Sequence, residues 1–117
     1  MNYDDNNIFA KILRKEIPCD KIHEDEHSLF FKDINPQAKI HILGIPKFPC
    51  TTFSEFLKNA DSKTISSFFK SVQIVIKNLN IEQNGYRLIT NSGEDGGQEV
   101  PHFHFHILAG EKIGPLR

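Results

Sequence analysis

Residues 100–108, Val-Pro-His-Phe-His-Phe-His-Ile-Leu, alternate imidazole and apolar side chains through three cycles. A period of two marks extended chain, because successive side chains of a strand point to opposite faces. As a strand the stretch puts His102, His104 and His106 on one face and Phe103, Phe105 and Ile107 on the other. Helical spacing would scatter the three rings around a cylinder. The chain must therefore build a sheet that buries the phenylalanine face and leaves a row of imidazoles for other use.

Three uses compete for that row. The plainest is a surface strand, although histidine is not a favoured strand residue. The second is metal. Two imidazoles two positions apart, with a ligand from a neighbouring strand, can hold zinc at about 2.0–2.1 Å. All three do not easily share one ion, since a rise of about 3.3 Å per residue sets His102 and His106 roughly 13 Å apart. No Cys-x-x-Cys or His-Glu-x-x-His stands nearby. The third is covalent catalysis at phosphorus, with a neutral imidazole as nucleophile. A neighbouring ring protonated near neutral pH would then hold phosphate oxygens.

The residues before the row bear on that choice. Positions 91–99, Asn-Ser-Gly-Glu-Asp-Gly-Gly-Gln-Glu, hold three glycines. Glycine lets backbone N–H groups approach an anion closely. Alone the segment reads as a turn between strands, and no Gly-Lys-Ser/Thr makes it a P-loop. Beside three imidazoles it reads as a phosphate loop.

The rest of the chain sketches one α+β domain over residues 1–117. Asn6 or Asn7 caps a short helix over 8–15, ended by Pro18. Residues 21–24 and 28–32 form a hairpin, with His23 and His27 at its surface. Asn35-Pro36 makes a turn after Asp33, and 39–46 is a central strand carrying His41. A helical turn over 53–59 precedes a long helix from Asp61 or Ser62 to about Leu79. Its stripe of Ile65, Phe68, Phe69, Val72, Ile76 and Leu79 is core. Strand 86–90 follows the Asn84-Gly85 turn. The helices are expected on one face of a five-stranded, mostly antiparallel sheet. Lys and Arg number 14 against 15 Asp and Glu, which gives no basic surface for nucleic acid. No apolar run is long enough for a membrane span or a signal peptide. Cys19 and Cys50 read as free thiols of a reducing, cytoplasmic compartment.

Gly96-Gly97-Gln98-Glu99-Val100 followed by His102-Phe103-His104-Phe105-His106-Ile107-Leu108 resembles the signature of the histidine triad (HIT) family. The segments Asn7-Ile8-Phe9-Ala10-Lys11-Ile12, Lys15-Glu16-Ile17-Pro18, 31–38 and 41–47 resemble its Hint-like branch. The resemblance implies hydrolysis of purine nucleoside 5′-phosphoramidates, or related adenylates, by a homodimer whose two sheets join edge to edge. His104 would be the nucleophile and His106 would contact phosphate oxygens. His102 and His41 would orient and tune the row. Asp33 would bind ribose hydroxyls of an AMP-like substrate. Ile8, Phe9, Ile17, Phe31 and Ile34 would line the purine slot, and Asn91, Gly97, Gln98 and Glu99 the phosphate. No metal or other cofactor is implied. Glu99 stands where many eukaryotic relatives carry serine, and Pro101 removes a strand N–H, which predicts an edge or bulge there. A nucleotide-binding scaffold with vestigial hydrolysis, and a zinc protein, stand as alternatives.

Overall fold

The phenylalanines of the C-terminal stretch meet those of the long helix, and this contact organises the molecule. The computed structural model describes residues 2–116; Met1 and Arg117, the ends of the expected domain, lie outside the described residues. Three helices, α1 (Ile8–Leu13), α2 (Phe53–Asn59) and α3 (Ser62–Asn78), accompany five strands. The strands are β1 (Lys21–Glu24), β2 (Ser28–Lys32), β3 (Ile40–Pro46), β4 (Arg87–Ile89) and β5 (Phe105–Ala109). They form one sheet in the order β1-β2-β3-β5-β4, every neighbouring pair antiparallel. β5, last in sequence, is thus threaded between β3 and β4. No described helix is long and apolar enough to cross a membrane.

Each helix starts where a short polar side chain can accept an orphan N–H. Asn7 accepts from Ala10, Thr52 from Glu55 and Asp61 from Thr64. α1 is shorter than the expected 8–15. It ends at Leu13, and Lys15 sits at φ 65°. The chain has therefore turned away before Pro18, which is not the stop.

The sequence suggested helices on one face of the sheet, but they lie on both. Phe30, Ile42, Phe105 and Ile107 point toward α2 and α3 and close a core with Phe56, Phe68, Val72 and Ile76. Leu29, Phe31, Leu43 and Ile45 point the other way and pack with Phe9 and Ile12 of α1. β2 and β3 are buried on both faces, so their apolar runs carry no phase that assigns a helix to a side. Phe30 lies over Gly44 of the paired strand: a Cβ at Gly44 would come within 2.4 Å of its ring.

The histidine stretch is a second correction. β5 begins only at Phe105, so His102 and His104 precede it. Pro101 has no N–H to offer a ladder. The His102 N–H turns back to Val100 O at 2.8 Å, and Phe103 N–H reaches Cys50 O at 3.0 Å. Alternation survives without the ladder: Phe103 and Phe105 enter the core of α3, while His104 and His106 face α1's side. His23 and His27 are half-buried rather than at the surface. His23 Nε2 bonds Asp25, which also ties the hairpin to Ser71 of α3. Both thiols are free.

Candidate active site

On the α1 face of the sheet, residues of three strands fall in register. Phe31 pairs with Leu43, and Leu43 pairs with His106. One step along, Asp33 N–H donates to His41 O at 3.0 Å. His41 pairs with Leu108, so it lies diagonal to His106, close enough for the two side chains to meet. The result is the wall of a cavity of about 410 Å³, a volume suited to a small-molecule ligand. Ile8 and Phe9 of α1 close one side, and Asn91, Gly97, Glu99 and Val100 of the glycine segment close another. Asp33, Ile34 and Gln37 complete its rim, with Ile34 88% exposed.

Backbone groups of fixed polarity decide where the imidazole protons sit. Gln37 N–H can only donate, and it lies 3.0 Å from His41 Nδ1. His41 therefore carries its proton on Nε2, 2.9 Å from His106 Nδ1 and 3.3 Å from Asp33 Oδ2. His106 Nδ1 accepts, which leaves its proton on Nε2. His104 Nδ1 lies 2.7 Å from His102 O, which can only accept. His104 thus donates through Nδ1 and keeps a lone pair on Nε2. The rings of His104 and His106 lie 5.0 Å apart, and the edge of Phe9 holds His104 at 4.9 Å. Two neighbouring rings therefore present opposite chemistry, a nucleophilic nitrogen on His104 and an N–H donor on His106.

Burial pushes all four imidazoles below their ordinary range. His102 and His106 fall to about 4; the charges of His104 and His41 add to burial at His106, and Asp33 opposes. His41 is lowered by burial against the pull of Asp33. His104 is lowered by burial against His102 O, Asp33 and Glu99. The cavity therefore holds neutral rings at pH 7, not the cationic neighbour expected from sequence. Its donors are neutral N–H groups, and a bound anion would favour the charged form.

Most expected residues meet at this cavity. Asp33, His41, His104, His106, Ile8, Phe9, Phe31, Ile34, Asn91, Gly97 and Glu99 all line it. Three do not. Ile17 lies in a separate groove with Ile12, Leu13 and Leu29, because α1 ends early and the chain swings to its far side. Gln98 turns into its own loop. Its Oε1 accepts from Gly93 N–H, and its Nε2 donates to Thr51 O and Val100 O. It braces the segment instead of facing a ligand. His102 is fully buried behind His104, its Nε2 2.8 Å from Pro46 O. Sequence reasoning missed Leu43, whose place two residues from His41 on one strand could have found it. It also missed the Gln37 backbone, for which no side chain gives a signal.

Asp33, His41 and His106 bring three ligand-type atoms within 4.8 Å of one another. The sequence reading took two imidazoles of the triad and one ligand from a neighbouring strand, whereas the geometry groups a single triad ring, His106, with Asp33 and His41. The His41–His106 hydrogen bond occupies the same nitrogens a cation would need.

The HIT domain matches residues 14–113. This chain belongs to the HIT family. It is 48% identical to an uncharacterised 13.2 kDa HIT-like protein of Azospirillum brasilense, over 97% of this chain and 93% of that one. It is 37% identical to the purine nucleoside phosphoramidase of Escherichia coli K12, over 96% and 93%. A solved histidine triad protein from Clostridium difficile superposes with a TM-score of 0.87 at 38% identity, covering all of both chains. The HIT chain described here is thus a hydrolase-like nucleotide-binding protein with the HIT fold.

Proposed function

We propose that this HIT protein hydrolyses purine nucleoside 5′-phosphoramidates, or related adenylates, through a nucleotidyl intermediate on His104. The observation that carries the reading is the His104 ring. Its Nδ1–H is committed to His102 O at 2.7 Å, so the lone pair of Nε2 is free in a nucleotide-sized cavity. The phosphoramidase of Escherichia coli supports the choice of a P–N bond.

The Nε2 lone pair of His104 attacks the α-phosphorus in line with the departing nitrogen. A P–Nε2 bond forms as the P–N bond of the substrate breaks. The new positive charge on the ring is held through Nδ1–H by His102 O. His106 Nε2–H donates to a non-bridging oxygen, with backbone N–H groups near Gly97 and Glu99 beside it. A water then attacks phosphorus and releases His104. The departing nitrogen takes a proton from solvent in the first half, and the attacking water returns one to solvent in the second, so that over both halves one water is consumed.

Asp33 receives the ribose hydroxyls. Ile8, Phe9, Phe31 and Ile34 flank the base. The working unit is a homodimer in the cytoplasm, joined at the β4 edge. That edge exposes Leu88, whereas β1 at the other edge carries a bulge and the charged Lys21 and Glu24, devices that blunt an edge.

Incubation with adenosine 5′-phosphoramidate tests the reaction. AMP and ammonia should form, an adenylylated protein should be trapped by rapid alkaline denaturation, and His104→Ala should form neither. Turnover by His104→Ala equal to the parent would end this reading.

A further inference from the structure

Tyr3 and Asn7 make contacts that the reaction above does not use, and neither lines the cavity. Asn7 is buried and caps α1: its Oδ1 accepts from Ala10 N–H at 2.9 Å. That use orients the amide, so the other end must be Nδ2. It donates to Asp4 O at 2.7 Å and to the Tyr3 hydroxyl at 2.8 Å. With an N–H already aimed at its oxygen, Tyr3 has one proton to give. His102 Nδ1 lies 2.6 Å away.

The far side of His102 agrees. Pro46 O can only accept, and it lies 2.8 Å from His102 Nε2. The proton of His102 is on Nε2, and Nδ1 accepts from Tyr3. The ring is thus strapped between Tyr3 and Pro46 in one tautomer, with the Tyr3 ring edge-on at 5.6 Å. The carbonyl of this same residue holds His104 Nδ1–H at 2.7 Å. Hydrogen bonds of fixed direction therefore link the cap of α1 to the His102 ring, and the carbonyl of that residue accepts from the back of the His104 ring, with Phe9 of α1 against its edge.

We propose that Tyr3 and Asn7 are positioning residues for His104: their relay holds His102 in one tautomer and orientation, and through its carbonyl aims the Nε2 lone pair of His104. The inference rests on the hydrolase reading above. Removing the Tyr3 hydroxyl leaves a fully buried acceptor without its donor. The His102 ring then turns, moves or takes up a proton, and its peptide carbonyl moves with it. His104 loses the acceptor that keeps its proton on Nδ1. Because Tyr3 stands outside the cavity, nucleotide binding keeps its contacts and the loss falls on the chemical step. A merely structural Tyr3 would lower stability and leave the two rings as they are.

Two variants test this. Tyr3→Phe deletes the donor. Asn7→Asp keeps the helix cap but replaces the N–H donor with an acceptor, which draws the Tyr3 proton away from His102. Imidazole ¹⁵N shifts of His102 and His104 and the kinetics on adenosine 5′-phosphoramidate would be measured for each. Both variants should displace the His102 Nδ1 resonance and broaden or shift those of His104. The kcat should fall on the order of tenfold with KM within about twofold. Folded variants with parental ¹⁵N shifts, or with parental kcat, would overturn the inference. Should Tyr3→Phe not fold, Asn7→Asp with its cap intact decides alone. Absence of turnover in the parent protein would strike the hydrolase reading instead. The shifts then judge the relay by themselves: displaced resonances on both rings support it, and unchanged ones refute it.

Discussion

His41 Nε2 stands 3.3 Å from Asp33 Oδ2 and 2.9 Å from His106 Nδ1. It joins the carboxylate assigned to the ribose to the ring assigned to the phosphate. Asp33 acts on every imidazole of the cavity in one direction, raising the proton affinity of His41, His104 and His106 against burial.

That balance sets the acid limb of activity. The pKa of His104 is below 6.5 in the folded protein, so its lone pair remains available as pH falls through 6.5 and is lost only at lower pH. The acid limb of kcat/KM, which reports the free enzyme, should therefore have its midpoint below pH 6.5. Asp33→Asn removes an influence that raises the His104 pKa, so the limb should move further toward acid. A pH–rate profile of both proteins checks this; a limb that moves toward neutral pH in the variant would contradict the assignment.

Asp33 has a second consequence. Its Oδ1 accepts from Asn35 N–H at 2.8 Å, which fixes the carboxylate at the cavity rim. If that carboxylate takes the ribose diol, Asp33→Ala should weaken binding of AMP much more than of 2′,3′-dideoxy-AMP. The loss for AMP should be about tenfold to a hundredfold, the range for a hydrogen bond to a charged group. Calorimetric titration of the four protein–ligand pairs measures it. Equal losses for both nucleotides would remove the ribose role.

The row of imidazoles was legible in the sequence because side-chain alternation is a property of extended chain, with or without a ladder. Phe103 and His104 obey it although β5 starts after them. The Asn35-Pro36 turn between two strands was legible too, and the fold uses it to bring Asp33 beside His41. The side of the sheet taken by α1 did not, because β2 is apolar on both faces: Leu29 and Phe31 pack on α1, while Phe30 packs on α3. Ile17 was misplaced for a related reason. The left-handed turn at Lys15, a residue with no preference for it, sends the chain away from the cavity. Gln98 looked like a ligand residue because its segment is glycine-rich, yet three backbone groups claim its amide. Tyr3 and His102, 99 positions apart, could be joined only by the folded chain.

His102 also makes stability depend on pH. Its ring is fully buried, and burial lowers its pKa to about 4, against the pull of Pro46 O and together with the charge of His104. The unfolded chain binds this proton near pH 6.5 and the folded one near 4. The stabilisation is therefore complete above about 6.5 and is lost as pH falls from there to about 4. The slope from this one group is at most about 1.4 kcal/mol per pH unit. Urea unfolding at intervals between pH 7 and 4 should show the decline, and His102→Asn should make it shallower, leaving the shares of His41, His104 and His106. A parental slope in the folded variant would mean that other groups carry the acid sensitivity.

Phe68 of α3 is the point where the aromatic core is joined. Its ring stacks on Phe30 at 6.2 Å and on Phe105 at 6.1 Å, and meets Phe56 and Phe103 edge-on at 5.6 and 5.7 Å. It therefore ties α2, β2 and β5 to α3, and it is fully buried. Phe69, next in the chain, is 38% exposed and touches the same cluster from its margin. Truncating Phe68 to alanine removes the transfer free energy of a buried ring and leaves a cavity among groups that cannot collapse into it. The cost should be about 3–5 kcal/mol. The same truncation at Phe69 should cost roughly 1 kcal/mol, because much of its ring is already in water. Denaturant midpoints of the two variants separate the cases. Equal losses would mean that the long helix is held by its rim rather than by the ring between the strands.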